Sequence, residues 1–477
     1  MRMKKNLILP LLLCGICLST WAQNTVLNVS GTVKDNRGRA IAGVVVNDGV
    51  HFTQTDKSGA WTLAPDTVVS KFISISTPAG YTLPQVNGLA DGFYVPVREI
   101  AVSKKHDFVL EPRKAGADRF YYIAISDPQV RNAKEMTRWR TEAVEDMQVL
   151  VDSLKNRHEV VGMTLGDLVF DNMNLYDEYK ESLQNMGMTV FQCIGNHDFD
   201  LRYQDLHNMR AGTPVYGEMV YNRYFGPTDY SFNMGKVHVV TLKNINYVGK
   251  KRYIECLTDE QIAWLEKDLS YVPKGSLVFL NMHAAGWNSV GADGNIRNAA
   301  QLEETLKGYK AHVFCGHTHF FQNNQVNPNL YEHNIGAACG AWWSSWVNRC
   351  GAPNGYLVVE VNGNDLKWHY KGTRRSFDYQ FQVYKPGEFQ TQSSFVIANV
   401  WDWDKDCRIV WYQDGKPMGT MEQFTGVDET YATTLKDRKQ ASETPHLFRA
   451  MPADGSKEIK IELTNRFGEI YTQLVKL

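Results

Sequence analysis

A chain of 477 residues is too long for one ordinary domain, and its 43% hydrophobic content supplies more than one core, so about two to four domains are expected. With 51 basic and 52 acidic side chains the net charge is -1, so no overall field draws the protein onto a polynucleotide or an anionic membrane, which argues against a nuclease.

Basic residues Arg2, Lys4 and Lys5 precede an apolar run from Leu7 to about Leu18, followed by the small residues of a cleavage site at Thr20 and Ala22. This predicts a signal peptide over 1–22 and a protein exported to the periplasm or the extracellular space. The run is shorter than the roughly 20 apolar residues that span a bilayer. No later segment reads as transmembrane. Lipidation is not expected, because Cys14 follows Leu13 and Cys17 follows Ile16 rather than a small residue. Of the six remaining cysteines, Cys193 and Cys315 sit in apolar strand-like runs and read as buried thiols, while Cys339 and Cys350 bracket a short loop and are the best disulfide candidates.

Residues 26–112 alternate short apolar and polar runs broken by Gly, Asp and Asn, which predicts an all-β domain. The stretches Ser30 to Asp35, Gly43 to Val46 and Thr55 to Leu63 resemble the carboxypeptidase regulatory-like β-sandwich, a module whose role is structural. A linker follows at Arg113 to Ala117. Over 118–373 the pattern changes to strand, helix, strand. Strands are predicted at 120–126, 160–165, 189–194, 237–242, 277–282 and 312–315, and helices at 133–157, 175–186, 258–269 and 299–309. From 376 to 477 the helical signal fades and a second β-sandwich is expected. There, Trp401 to Asp406 mixes tryptophan and aspartate, a combination suited to glycan or calcium, but it reads as a solvated strand end.

Five short motifs close predicted strands of the central domain, where open α/β sheets place ligands. They are Ser126 to Gln129, Gly166 to Val169, Gly195 to Asp198, Asn281 to His283, and Gly316 to His319. Each ends an apolar run in carboxylate, amide or imidazole groups, a donor set suited to Mn, Fe, Zn or Mg.

In this order the motifs D-x-Q, G-D, G-N-H-D, a strand-end His and G-H-T-H resemble the calcineurin-like metallophosphoesterase superfamily over roughly the middle half of the chain. The resemblance implies a four-layer α/β/β/α core flanked by the two β-sandwiches. It also implies two divalent metal ions, one on Asp127, Gln129, Asp167 and His319, the other on Asp167, Asn196, His283 and His317, with Asp167 bridging. His commonly stands where this chain has Gln129, so a weaker ligand or a hydrogen-bonding amide behind the metal are both open there. His197 becomes the proton donor to the leaving group and Asp198 its orienting partner. The implied reaction is hydrolysis of a phosphomonoester or phosphodiester, whether small molecule, lipid or glycan, by in-line attack of a metal-bound hydroxide. Trp342 and Trp343 after the last motif, and Trp287 and Asn288 after His283, are candidates to contact substrate, although packing is the commoner fate of tryptophan. The remaining histidines match no motif and read as structural. Two rival readings are a degenerate, inactive scaffold whose β domains bind glycan or a cell surface, and a nuclease.

Overall fold

The structure is a computed structural model that describes residues 27–114, 118–202, 216–249, 251–288 and 295–477. The signal peptide expected over 1–22, with its cleavage site, and Ala115 to Ala117 of the linker lie outside the described residues.

Two sheets face each other at the centre. The seven-stranded sheet runs in the order Asp365–Gly372, Gly355–Asn362, Arg119–Ile125, Glu159–Leu165, Thr189–Cys193, Leu89–Ala90, Gln85–Val86. The six-stranded sheet runs Tyr230–Met234, Val237–Thr241, Leu277–Asn281, Lys310–Cys315, Leu330–Asn334, Gln322–Asn327. Their central strands are parallel and buried on both faces, as parallel sheets require. The strand Arg119–Ile125 shows why: Phe120, Tyr122 and Ala124 enter the core between the sheets, while Tyr121, Ile123 and Ile125 face the outer helical layer. Helices Glu145–Leu154 and Tyr176–Gln184 bring Met147, Val151 and Tyr179 to the first sheet, and Asp259–Leu269 and Ala299–Leu306 bring Ile262, Leu265 and Leu302 to the second. The result is the expected α/β/β/α core. The helix predicted over 133–157 is broken by a π-helical turn at Trp139–Val144, where Trp139 is fully buried and its indole donates to Ser182 Oγ at 2.8 Å.

The flanks are β-rich. The N-terminal segment forms a three-stranded and a four-stranded sheet, and its apolar side chains, such as Val33, Trp61 and Phe108, are continuous with the core between the central sheets. It also joins those sheets directly, with Leu89 pairing Val190 and Thr77 bridging Phe232. At the C-terminal end two four-stranded sheets share a core that includes Val396, Phe448, Ile409 and Ile461. The run Trp401 to Asp406 is not a solvated strand end throughout: Trp401 and Asp404 are buried and Trp403 half-buried.

Candidate metal centre

Three of the five motifs, at 126–129, 166–169 and 316–319, leave their strands through corners that few residues tolerate. Asp127, Gln129, Asp167, Asp171, His317 and His319 all have positive φ, between 43° and 70°. These left-handed corners turn the side chains away from the sheet and toward one point. Glycines make the approach possible. A Cβ on Gly316 would lie 1.8 Å from Ser126 Oγ, and Gly166, at φ 93°, would place one 2.6 Å from His283 Nδ1.

Asp167 sits at the middle. Its Oδ1 accepts from the backbone N–H of His197 at 2.8 Å and lies 3.4 Å from His283 Nε2, and its Oδ2 accepts from Gln129 Nε2 at 2.6 Å. Ligand atoms of Asp167, His283 and His317 all lie within 4.8 Å of one another. Asn196 joins them, its Oδ1 at 2.9 Å from His283 Nε2. On the other side of Asp167, Asp127 is fully buried, with Oδ2 accepting from His317 N at 2.9 Å and from Ser126 Oγ. Its Oδ1 stands 3.7 Å from His319 Nε2.

The proton positions follow from the backbone. His283 Nδ1 lies 2.8 Å from the Leu165 carbonyl and His319 Nδ1 lies 2.5 Å from that of Gly340, and a carbonyl can only accept. In its neutral form each ring therefore turns a lone pair inward from Nε2. Asp127 Oδ1 and His319 Nε2 are buried without a hydrogen-bond partner. A lone pair facing a carboxylate oxygen in a buried site is repulsive unless a cation lies between them. The donor set thus fits divalent metal ions.

Burial favours the neutral form of every group here, and neighbouring charge decides which escape it. It pushes Asp127 up and His319 down, and with His283 alongside it takes His317 down to about 3. Against burial, His283 and His197 hold Asp167 well below the usual carboxylate range, and Asp167 in turn lifts His283 to about 9.

The surrounding residues depart from expectation in three places. His197, stacked on Phe170 at 3.9 Å, places Nδ1 2.9 Å from Asp171, not Asp198. Burial lowers its pKa, but Asp167 and Asp171 more than reverse this. Asp198 is buried under the loop, accepting from Gly195 N at 2.9 Å, Leu168 N at 3.1 Å and the Tyr176 hydroxyl at 3.1 Å, and burial with nearby Asp167 raises it to about 7. It shapes the loop rather than orienting His197. Cys339 and Cys350, the disulfide candidates, are buried free thiols; Cys350 Sγ accepts from Phe321 N at 3.2 Å. Trp343 turns inward, buried and donating to the Pro128 carbonyl at 2.9 Å, whereas half-buried Trp342 stacks on His319 with centroids 4.5 Å apart. Trp287 is half-buried. Asn288 is buried, and its backbone exchanges hydrogen bonds with the Asn295 amide.

Residues 121–321 match the family model for calcineurin-like phosphoesterase, 27–113 that for the N terminal of calcineurin-like phosphoesterase, and 332–471 that for its C terminal. The chain is a calcineurin-like metallophosphoesterase. This metallophosphoesterase is similar in fold to a dimetal phosphatase from Danio rerio, at 11% identity and TM-score 0.36 over 53% of this chain and 96% of that one. It is also similar to purple acid phosphatase PPD1 from yellow lupin seeds, at 10% identity and TM-score 0.39 over 69% and 67% of the two chains. A third similar structure is PhoD, at 9% identity and TM-score 0.34 over 91% and 85%. No curated protein matches the sequence.

Sequence reasoning missed Asp171 and Asn244 in this metallophosphoesterase. Asn244 Oδ1 accepts from the backbone N–H groups of His283 at 3.2 Å and Ala284 at 3.1 Å, which holds the strand end that carries His283. The available signal for Asp171 was its place four residues beyond Asp167 on the same loop.

Proposed function

We propose that the protein hydrolyses phosphoesters at a centre of two divalent metal ions, Mn, Fe, Zn or Mg. Asp127, Asp167 and His319 would hold one ion and Asp167, Asn196, His283 and His317 the other, with Gln129 either a weak ligand or, as it stands here, an amide donating to Asp167. The observation that carries this reading is the pair of buried lone pairs on Asp127 Oδ1 and His319 Nε2 beside the Asp167, His283 and His317 cluster. Two such cations lower the pKa of water toward neutrality and neutralise charge on the phosphoryl oxygens.

The chain's own residues do the rest. Asp171 accepts from His197 Nδ1, so Nε2, which has no protein partner among the described residues, is free to deliver a proton to the leaving oxygen. Phe170 fixes the plane of that ring. Lys251 lies 3.4 Å from Asp171 and tempers the negative charge on it. We further propose that 1–22 is a signal peptide and the protein is exported, with domains at 26–112, 118–373 and 376–477. N-terminal sequencing of the mature protein tests this, with Gln23 as the expected first residue.

The decisive experiment compares aryl phosphomonoesters and phosphodiesters, under each metal and under chelator, for the wild-type protein, Asp167→Asn and His197→Gln. About two ions per chain and chelator-sensitive turnover are expected. Asp167→Asn should lose metal and activity, whereas His197→Gln should lose activity and keep the metal. A folded, metal-loaded chain that is silent on every ester would sink the proposal and leave the degenerate binding scaffold in its place.

A further inference from the structure

Three imidazoles face the centre, and a ligand imidazole works only when its outer nitrogen is held so that the inner one points at the ion. For His283 and His319 a backbone carbonyl does this, that of Leu165 at 2.8 Å and that of Gly340 at 2.5 Å. Among the described residues His317 has no such carbonyl. Its Nδ1 points inward, 3.1 Å from His283 Nε2, so a neutral ring with its lone pair on Nδ1 carries the proton on the outer Nε2. That atom faces Glu255 Oε1 at 3.9 Å.

Glu255 comes from a separate element. It ends the strand Arg252–Glu255, which pairs with Ile245–Gly249 as a hairpin. Side chains two apart on a strand share a face, and both Tyr253 and Glu255 reach His317. The Tyr253 ring meets the imidazole edge-on, with centroids 6.0 Å apart. The base of the hairpin is tied to the strand end that carries His283: Cys256 N donates to the Asn244 carbonyl at 3.0 Å, and the Asn244 side chain accepts from His283 N at 3.2 Å. Its turn reaches the proton-donor side, where Lys251 lies 3.4 Å from Asp171. The Glu255 side chain is only 23% exposed and has no Lys or Arg partner among the described residues. The imidazole is therefore the one positive or polar counterpart the structure gives this carboxylate.

We propose that Glu255 is the positioning residue for His317, holding Nε2–H outward and Nδ1 toward the ion and raising the basicity of that ligand. The assignment rests on the dimetal reading above. A separation of 3.9 Å is too long for a hydrogen bond, so the carboxylate acts as a charge facing an N–H dipole. Tyr253 cannot substitute for it, because an edge-on ring packs against either tautomer. Outer partners of this kind are worth about 10–100-fold in metal affinity, and the long approach puts Glu255 near the lower figure. The centre is thereby asymmetric. His319 is oriented by backbone alone, whereas the ion on His317 responds to a side chain carried on a hairpin.

The test titrates the metal-free full chain with manganese in a calorimeter, for wild type, Glu255→Ala, Glu255→Gln and Tyr253→Phe, and records thermal unfolding of each metal-free protein. Glu255→Ala should weaken one of two binding events by about 10-fold and leave the other within about 2-fold, without lowering the metal-free unfolding temperature. Glu255→Gln should fall between, since its amide oxygen still faces the N–H without the full charge, and Tyr253→Phe should match wild type. Equal weakening of both ions, or unchanged affinity with a lower unfolding temperature, would make Glu255 a structural part of the hairpin and overturn the assignment. If Glu255→Ala does not fold, Glu255→Gln against Tyr253→Phe carries the same comparison. Two ions bound alike by wild type and every variant would overturn the role of Glu255 alone, whereas a wild-type chain that binds no metal would overturn the dimetal reading and this assignment with it.

Discussion

Asp171 and Asp198 both crowd the loop around His197, and only one touches the imidazole. Asp171 accepts from its Nδ1 at 2.9 Å, so Asp171→Asn should leave the ring free to turn and to change tautomer. We expect kcat to fall about 10–100-fold on alkyl esters, whose leaving oxygen needs a proton, with a smaller loss on activated aryl esters and unchanged metal content. A uniform loss on both ester types would remove Asp171 from the proton path. Asp198 accepts from three backbone N–H groups, of Gly195, Leu168 and Val169, and from the Tyr176 hydroxyl, so its loss should act on folding instead. This distinction was not legible in the sequence, where Asp198 adjoins His197 and Asp171 stands 26 positions away. The ligand residues were legible because each pairs a metal donor with a strand end. The orienting carboxylate was not, because tertiary approach alone selects it.

At the scale of elements, the site depends on how closely neighbouring strand ends pack. Gly316 ends the strand Lys310–Cys315, and any Cβ there would collide with Ser126 Oγ at 1.8 Å and Asp127 Oδ2 at 2.5 Å. Gly316→Ala should therefore push the 126–127 corner aside, destabilising the fold by about 1–3 kcal/mol and lowering metal stoichiometry below wild type. Denaturation together with metal analysis checks this, and a variant that keeps full metal would show that the corner yields without cost to the site. The periodic elements were readable, since buried parallel strands are continuous apolar runs and the helices keep their apolar spacing. The π-helical turn at Trp139–Val144 was not, because its apolar residues also fit an α-helical pattern. Nor was the strand Leu89–Ala90, which is too short to carry a period and gains its place from pairing with Val190.

Across the whole molecule, one buried ion cluster ties the N-terminal segment to the central domain. Glu218 is buried between Lys71 from the N-terminal segment and Lys243 from the central domain, with Lys243 Nζ at 2.8 Å. Burial opposes the carboxylate, but Lys243 and Lys71 more than compensate and hold its pKa down at about 2. A carboxylate depressed on folding contributes stability that is complete above its unfolded pKa, about 4.3, and is lost as pH falls through the folded value. Wild-type stability should therefore decline through this window, from about pH 4.3 down to about 2. Glu218→Gln should start lower at neutral pH, by about 3–5 kcal/mol, because two lysines are left facing an uncharged amide. Its own decline between those pH values should be shallower, since the titrating group is gone. Denaturant midpoints at matched pH values read both effects. Parallel acid declines in the two proteins would assign the acid sensitivity to other carboxylates and reduce Glu218 to a neutral-pH tether between the two parts of the chain.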